Sequence, residues 1–491
     1  MNHPPDMMDA EDLIEALIEI VGPEWVLHEP EETRAYASDA LTAYRETPRV
    51  VVLPNGEDQI VAIVNLCQQR QIPIVPRGAG TGLSGGARPI REGIVLSLAR
   101  MNRILAMDPE AAIAILEPGV RNLSISEAAF PHGLFYAPDP SSQIACTIGG
   151  NVNENAGGVH CLKYGLTLHN VLGVRGILSS GEVFESGGQA PDSQGLDLLP
   201  LLIGSEGMLM IVTEVTVRLL PRPTHAKVVM ASFDSIETCA NAVAAIISSC
   251  LIPAGLEMMD QAATRAVEDF VHAGYDCEAA AILLVESDGS KTEVDEEIAE
   301  IKEILLRNGS RSLVVSETEE ERQRIWSGRK NACPAAGRVA PEYYCMDGTV
   351  PRRQMAPLLA HIAQLETQYG LRCMNVFHAG DGNMHPLILF DGKMIGEWAR
   401  AEAFGHAILE KCIELGGTVT GEHGVGVEKL DSLCVQFTDA EREVFHRLKE
   451  VFDPRRIFNP DKGIPSLRRC VEHGRKRVAT LDFQSTHLDH F

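Results

Sequence analysis

Two glycine-containing segments in the second half of the chain carry histidine and carboxylate side chains at close spacing. The first, FHAGDGNMH, holds His378 and His385, and the second, GEHGVG, holds the adjacent pair Glu422 and His423. Imidazole and carboxylate groups are ligands for Zn, Mn or Fe ions in proteins. Two histidines and one glutamate would leave coordination positions open for substrate oxygens. From these residues alone, a metal site and a hydrogen-bonded loop without metal both remain open.

The same half carries a cation pair and strand-like runs around the first histidine segment. Arg329 and Lys330 adjoin a small residue in WSGRKN. A guanidinium can bind a carboxylate through two hydrogen bonds, although an adjacent Arg-Lys pair is commonly exposed at the surface. Apolar residues flank FHAGDGNMH on both sides. They predict a hairpin-like bend that brings His378 and His385 together.

Two segments in the first half are dense in glycine, at residues 77–86 and 138–165. Gly80, Gly82 and Gly85 match the dinucleotide fingerprint, but a nicotinamide site also needs a helix that begins at this loop. Here the chain continues through Ala87-Arg88-Pro89 towards a strand, which argues against that site. Closely spaced glycines still allow successive backbone N–H groups to converge on a phosphate.

The elements around these segments predict the division of the chain. An amphipathic helix at residues 9–21 is followed by a strand–helix–strand unit at 50–75, and longer helices alternate with strands beyond the break at Pro221-Arg222-Pro223. The division is a helical cap at 1–46, a binding domain of two α/β subdomains at 47–222, a second domain at 223–420, a segment completing the site at 421–465, and a short, partly basic tail at 466–491.

Composition excludes several classes of function. Lys and Arg number 43 against 68 Asp and Glu, a net charge of -25, which argues against nucleic acid as a partner. The 12 cysteines form no C-x-x-C pair, so neither a disulfide framework nor an iron–sulfur cluster is expected. An export signal and an apolar run of membrane-spanning length are both lacking, so we expect a cytoplasmic protein.

The series PRGAGTGLSGG, PDPSS, CTIGGNVNENAGG, KYG and IGSEG resembles the FAD-binding domain of the vanillyl-alcohol oxidase family. The resemblance implies an α+β fold, with that type of FAD-binding domain and a mixed α/β substrate domain. The glycine loop has no histidine where several relatives attach flavin covalently, so noncovalent FAD is expected. By position, the implied FAD-binding residues are Arg77, Gly78, Gly80, Thr81, Gly82, Ser84, Gly85, Pro138, Ser141, Ser142, Thr147, Gly149, Gly150, Asn151, Gly157, Tyr164, Glu206 and Ile211.

The pair FHAGDGNMH and GEHGVG resembles the flavin D-2-hydroxy-acid dehydrogenases, and the resemblance extends over residues 47–465. It implies that His378, His385 and Glu422 bind a divalent metal and that His423 is the catalytic base. It further implies that Arg329 holds the substrate carboxylate and that Asn459 lies near the flavin. The stretch APEYYCMDGTVP most resembles the flavin subunit of glycolate oxidase. Glycolate is therefore the first expected substrate, with D-lactate and D-2-hydroxyglutarate as alternatives.

The resemblance also implies partners, because no cluster motif in this chain could carry electrons onward. An iron–sulfur subunit and a second flavin-type subunit are expected, with peripheral attachment to the inner membrane through that complex. Three other functions stay open: a non-catalytic flavin-binding subunit, an aldonolactone or aromatic-alcohol oxidase of the same fold, and a zinc hydrolase. The hydrolase would leave the glycine loops unexplained, and the other oxidases would not need the histidine cluster.

Overall fold

The first sheet is built from the strand–helix–strand unit that the sequence predicts. The computed structural model describes residues 10–190, 195–466, 469–470 and 472. The β-branched residues of the second and third strands are buried, and the helix between them packs its apolar face on the sheet. The sheet order is β1-β2-β4-β3, parallel except for β1. Its elements are α1 (Ala10–Val21), β1 (Val26–Leu27), α2 (Pro30–Thr33), β2 (Val50–Val52), α3 (Glu57–Arg70), β3 (Ile74–Arg77) and β4 (Ile94–Ser97).

A second, antiparallel sheet follows in the order β5-β6-β10-β8-β9, and β7 pairs separately with β11. Strand β10 lies at the centre of this sheet. The elements are β5 (Ile104–Asp108), β6 (Ile113–Leu116), α4 (Asn122–Ala129), β7 (Leu134–Phe135), α5 (Ile148–Glu154), α6 (Cys161–Tyr164), α7 (Thr167–Asn170), β8 (Val171–Ile177), β9 (Val183–Gly187), α8 (Leu199–Leu202), β10 (Ile211–Arg218) and β11 (Leu220–Pro221).

The remaining strands form one large antiparallel sheet with order β15-β12-β14-β13-β18-β19-β16, and β17 pairs with β19. Its elements are β12 (His225–Phe233), α9 (Ile236–Ser248), β13 (Gly255–Asp260), α10 (Gln261–Val271), β14 (Ala281–Gly289), α11 (Lys291–Arg307), β15 (Ser312–Val315), α12 (Glu319–Lys330), α13 (Ala332–Val339), β16 (Glu342–Cys345), β17 (Gly348–Thr349), α14 (Met355–Tyr369), β18 (Arg372–His378), β19 (Asn383–Phe390), α15 (Glu397–Glu414), α16 (Leu430–Gln436) and α17 (Asp439–Phe452).

Helices cover both faces of this large sheet, which explains why buried apolar residues lie on both faces of its central strands. Leu283 and Val285 of β14 pack towards α9, α11, α14 and α15, whereas Ile282 and Leu284 pack towards α10, α12 and α13. Burial on both faces removes the alternation of apolar and polar residues that a half-exposed strand would show. The mixed α/β substrate domain implied by the resemblance is thus a two-sided sheet.

The C-terminal segment returns to the first sheet. Ile74 donates its backbone N–H to the Ile457 carbonyl at 2.7 Å and accepts from the Asn459 N–H at 2.8 Å. Lys449 is buried and donates to the carbonyls of Met208 and Phe458. The two backbone bonds of Ile74 join residues after α17 to strand β3, where the first glycine loop begins.

The structure adds a disulfide and an N-terminal strand to what the sequence predicts. A single disulfide joins Cys434 of α16 to Cys470, and sequence reasoning did not predict it because the two cysteines are 36 residues apart. One crosslink is not a framework, and the other ten cysteines are free. The N-terminal cap also differs from its prediction, because it supplies β1 to the first sheet as well as helices. Most of the basic tail, including Arg475, Lys476 and Arg477, lies outside the described residues.

Candidate functional site

Residues from both halves of the chain line one continuous cavity. The first half contributes the two glycine-rich segments, and the second half contributes Arg329 and the histidine cluster. Of the residues predicted from sequence, the cavity is lined by Arg77, Gly78, Gly80, Thr81, Gly82, Ser141, Ser142, Thr147, Gly149, Gly150, Asn151, Gly157, Glu206, Arg329, His378, His385, Glu422 and His423. The loops expected to bind a cofactor and the side chains expected to do chemistry therefore face the same space.

The first glycine loop leaves β3 and leads to β4, as the sequence predicts, so no helix begins at this loop. Gly80 adopts φ +72, and a Cβ atom there would overlap the guanidinium of Arg77. Arg77 is buried and donates to the Ser38 carbonyl at 2.9 Å. Glycine thus meets a steric requirement at position 80, and the loop backbone remains open to the cavity.

The second segment faces the first across the cavity and begins helix α5. Asn151 donates to the Asn122 side chain at 2.8 Å, which anchors the start of this helix. The Thr147 hydroxyl, Asp39 Oδ2 and Glu154 Oε2 are buried at the cavity without a hydrogen-bond partner among the described residues. Buried polar atoms are normally satisfied. These atoms therefore fit a cavity that takes a polar ligand such as FAD.

Glu206 connects the first half of the cavity lining to the GEHGVG loop of the second half. Its carboxylate accepts the backbone N–H groups of Val425 and Gly426 at 2.8 and 2.6 Å. Asn459, predicted near the flavin, donates to the carbonyls of Gly86 and Glu206 instead of lining the cavity. Both residues therefore position the loops around the cavity.

Six of the residues predicted to bind FAD are not part of the cavity lining. The backbone carbonyl of Ser84 accepts from Val427 and Glu428, next to the GEHGVG loop. Ser84 therefore holds the chain just after the GEHGVG loop instead of lining the cavity. The six are Ser84, Gly85, Pro138, Tyr164, Ile211 and Asn459.

Tyr164 belongs to a polar contact between the second glycine-rich segment, residues 138–165, and β14. Its hydroxyl donates to Asp288 at 2.7 Å, and Lys163 donates to the same carboxylate at 2.5 Å. Nearby, Nδ1 of His160 lies 2.7 Å from Oδ2 of Asp139, and Nε2 of His160 lies 3.2 Å from Oε1 of Glu286 in β14. The KYG motif therefore joins the two halves of the molecule at this point.

The predicted hairpin brings the two histidines together. His378 ends β18 and His385 lies in β19, with ring centroids 5.1 Å apart. Nε2 of His378 is 3.3 Å, and Nε2 of His385 is 3.0 Å, from Oε1 of Glu422. The three side chains place one ligand atom each within 4.8 Å of the others, an arrangement that fits a single divalent ion.

Sequence reasoning missed Glu257, a buried carboxylate in β13 that joins two predicted site residues. Oε1 lies 2.6 Å from Nδ1 of His378, and Oε2 accepts from Nε of Arg329 at 2.7 Å. A carboxylate on the far nitrogen of a metal-binding histidine fixes the ring and its tautomer. The available signal was a glutamate inside the apolar strand GLEMMD, because charged residues are rarely buried without a partner.

Asp347, also missed, holds the GEHGVG loop in place. Its buried carboxylate accepts the backbone N–H groups of Gly421 and His423 at 3.0 and 2.9 Å, and Lys429 donates to it at 3.0 Å. This aspartate lies in APEYYCMDGTVP, the stretch that resembles glycolate oxidase. The resemblance therefore pointed to this stretch of sequence, but it did not indicate a role for Asp347.

Electrostatics separate the charge states of the histidines. Burial opposes protonation of His378, but the carboxylates of Glu257 and Glu422 outweigh it and raise its pKa to about 10. Burial lowers the pKa of His423 to about 4. His423 is therefore a neutral imidazole at neutral pH and can accept a proton.

Comparison with known families agrees with this geometry. Residues 48–187 match the FAD binding domain family model, and residues 222–463 match the model of FAD linked oxidases, C-terminal domain. Glycolate oxidase subunit GlcD of Escherichia coli is 54% identical over 474 residues, which cover 96% of this chain and 95% of the relative. The chain belongs to the FAD-linked oxidase family, and it is an FAD-dependent oxidoreductase.

Further relatives place the chain within that family. GlcD of Bacillus subtilis is 40% identical, covering 96% of this chain and 99% of the relative. A D-lactate dehydrogenase of Archaeoglobus fulgidus is 33% identical, covering 85% and 92%. The relatives of this chain thus include GlcD subunits and a D-lactate dehydrogenase.

Solved structures show the same fold. A p-cresol methylhydroxylase has a TM-score of 0.78 at 18% identity, covering 95% of this chain and 99% of that one. A 4-ethylphenol oxidase from Gulosibacter chungangensis has a TM-score of 0.77 at 18% identity, covering 95% and 100%. The expected α+β fold with a vanillyl-alcohol-oxidase-type flavin domain is confirmed.

Within the described part of the chain, no helix is both long and apolar enough to cross a bilayer.

Proposed function

We propose that this protein oxidises a small D-2-hydroxy acid to the 2-oxo acid, with glycolate as its first substrate and FAD as its electron acceptor. The observation that carries the proposal is the shared cavity, in which the glycine-rich loops face Arg329, His378, His385 and His423. The GlcD relatives support glycolate, and the D-lactate dehydrogenases support D-lactate as the second candidate.

FAD would be held without a covalent bond by the two glycine-rich segments. When bound there, FAD would supply the two-electron, hydride-accepting chemistry of the oxidation. The loop at residues 77–86 offers backbone N–H groups to the phosphates, and the Thr147 hydroxyl is a free buried polar group in the cavity wall. Ser84 and Asn459, which do not line the cavity, would support the loops around it through their hydrogen bonds.

His423 and Arg329 would act on the substrate directly. Neutral His423 takes the hydroxyl proton while the α-hydrogen leaves with its electron pair, so both hydrogens of the alcohol are accounted for. Arg329 binds the substrate carboxylate, and its bond to Glu257 fixes the guanidinium from behind. His423 and Arg329 together would orient the carbon that is oxidised.

His378, His385 and Glu422 would hold a divalent Zn, Mn or Fe ion. Such an ion supplies Lewis acidity to the substrate hydroxyl and carboxylate. The proposal predicts loss of activity after chelation to a metal-free state and recovery on adding back one of these ions. Full activity in metal-free protein would count against the metal.

The predicted division of the chain and its partners belong to the same proposal. We infer the domain limits 1–46, 47–222, 223–420, 421–465 and 466–491. An iron–sulfur subunit and a second flavin-type subunit would take electrons onward, in a cytoplasmic complex that lies at the inner membrane. The names of the GlcD relatives, each a glycolate oxidase subunit, support assembly into a complex.

The decisive experiment is anaerobic mixing of the FAD-loaded protein with glycolate, D-lactate and D-2-hydroxyglutarate. We expect the flavin absorption band to bleach fastest with glycolate. Fastest bleaching with D-lactate would favour the second candidate. No bleaching with any of the three acids, in protein loaded with FAD and metal, would overturn the proposal and favour a non-catalytic flavin-binding subunit.

A further inference from the structure

Cys345 lies beside the proposed catalytic base and has no role in the proposed reaction. It ends β16, is buried, and has a free thiol at the wall of the cavity. Its sulfur atom, a ring nitrogen of His385 and a ring nitrogen of His423 all lie within 4.8 Å of one another. This group overlaps the His378–His385–Glu422 group at one residue, His385.

The rings of His385 and His423 lie next to each other at the cavity. His385 and His423 stack with ring centroids 4.9 Å apart and an interplanar angle of 14°. Nδ1 of His423 is buried and has no hydrogen-bond partner among the described residues. A buried nitrogen without a partner is uncommon and is available to a ligand.

The two overlapping groups differ in chemical softness. His378, His385 and Glu422 offer nitrogen and oxygen, whereas Cys345, His385 and His423 offer sulfur and nitrogen. A thiolate selects softer ions such as Zn²⁺ or Cd²⁺ over Mn²⁺. His385 can therefore bind a harder ion together with His378 and Glu422, or a softer ion together with Cys345 and His423.

We propose that Cys345, His385 and His423 form a second, inhibitory binding site for soft divalent cations. Binding releases the thiol proton to solvent and forms bonds from the ion to the sulfur and the two imidazoles. The inhibitory role depends on the proposed function. The bound ion would occupy His423, which then could not accept the substrate proton. It would also occupy His385, which then could not bind the other ion together with His378 and Glu422. The binding site itself depends only on the three ligands.

Cd²⁺ titration of the FAD-loaded protein tests binding without any turnover. A Cd–thiolate bond gives an ultraviolet charge-transfer band, which is measured as a difference spectrum. We expect this band in the unmodified protein and in Cys333→Ser, whose thiol also lines the cavity but lies outside the group. The band should be missing in Cys345→Ser and Cys345→Ala. Its persistence in both Cys345 variants, at normal flavin content, or its absence from the unmodified protein would overturn the proposal.

Inhibition is measured separately, as the Cd²⁺ concentration that halves each protein's own rate of flavin bleaching. Loss of a ligand should raise this concentration about 10-fold or more in Cys345→Ser, and Cys333→Ser should match the unmodified protein. Equal sensitivity in all three proteins would place inhibition at the His378–His385–Glu422 group and refute the inhibitory role. If no acid bleaches the flavin, the proposed function fails while the charge-transfer band still decides whether the site exists.

Discussion

The two sides of the cavity are built by different means. The proposed cofactor side is formed largely by glycine-rich loops, in which glycine at positions such as 80 avoids a clash that a Cβ atom would create. The opposite side consists of side chains from β13, α12, the β18–β19 hairpin and the GEHGVG loop. Backbone sites depend on local sequence, whereas side-chain sites depend on which distant strands pair.

Substitutions on the two sides of the cavity should have different effects. On the cofactor side, a substitution acts by steric strain and should change FAD affinity. On the histidine side, a substitution removes a proton acceptor, a ligand or a buried hydrogen bond, and should change rates while FAD stays bound. Glu206 is the exception, because it lines the cavity and also binds the backbone of Val425 and Gly426.

His423→Ala should give the largest effect, a slower rate of flavin bleaching with unchanged FAD content. Removing the proposed base should slow glycolate-dependent flavin bleaching about 10²- to 10⁴-fold, because general-base catalysis contributes factors of this size. FAD content should stay unchanged, because the glycine loops are untouched. Stopped-flow absorbance gives the rate, and the flavin-to-protein ratio is the control. A rate equal to that of the unmodified protein would remove His423 from the mechanism.

Glu257→Gln tests whether the histidine side depends on a group behind the cavity wall. A glutamine has one acceptor oxygen, so it cannot accept from both Nδ1 of His378 and Nε of Arg329. We expect kcat/KM to fall about 10- to 100-fold, with lower metal content and normal FAD content. Glu303→Gln, an exposed carboxylate on α11, is the matched control. Unchanged metal content and kcat/KM would show that Glu257 serves packing alone.

The same contrast explains what the sequence could predict. The glycine loops, the route from β3 to β4 and the β18–β19 hairpin follow from local spacing, and the structure confirms them. Glu257 could not be assigned because its partner His378 is 121 residues away, and only the pairing of β13 with β18 brings them together. Asp347 is similarly distant from the loop it holds, at 76 residues from His423. The Cys434–Cys470 bond likewise depends on tertiary placement.

Gly80→Ala tests the backbone side. An alanine at φ +72 costs about 1–2 kcal/mol in strain, and its Cβ would displace the Arg77 guanidinium. FAD should bind about 10-fold more weakly or worse, as measured by fluorescence titration of the flavin-free protein. Gly56→Ala is the matched control, because that residue is extended and no atom lies within 4 Å of its added Cβ. Equal FAD affinity in both variants would show that the loop does not shape the cofactor site.

Tyr164→Phe should have the smallest effect, and it decides to which side of the comparison the KYG motif belongs. The variant keeps the ring against Phe135 and removes one hydrogen bond to Asp288, which Lys163 still contacts. We expect a loss of about 0.5–1.5 kcal/mol in the free energy of unfolding, from denaturant titration with saturating FAD, and an unchanged flavin spectrum. A lower FAD affinity with unchanged stability would instead assign Tyr164 to the cofactor site, as the family resemblance implies. The unfolding and binding measurements thus distinguish a residue that joins the two halves from one that holds the flavin.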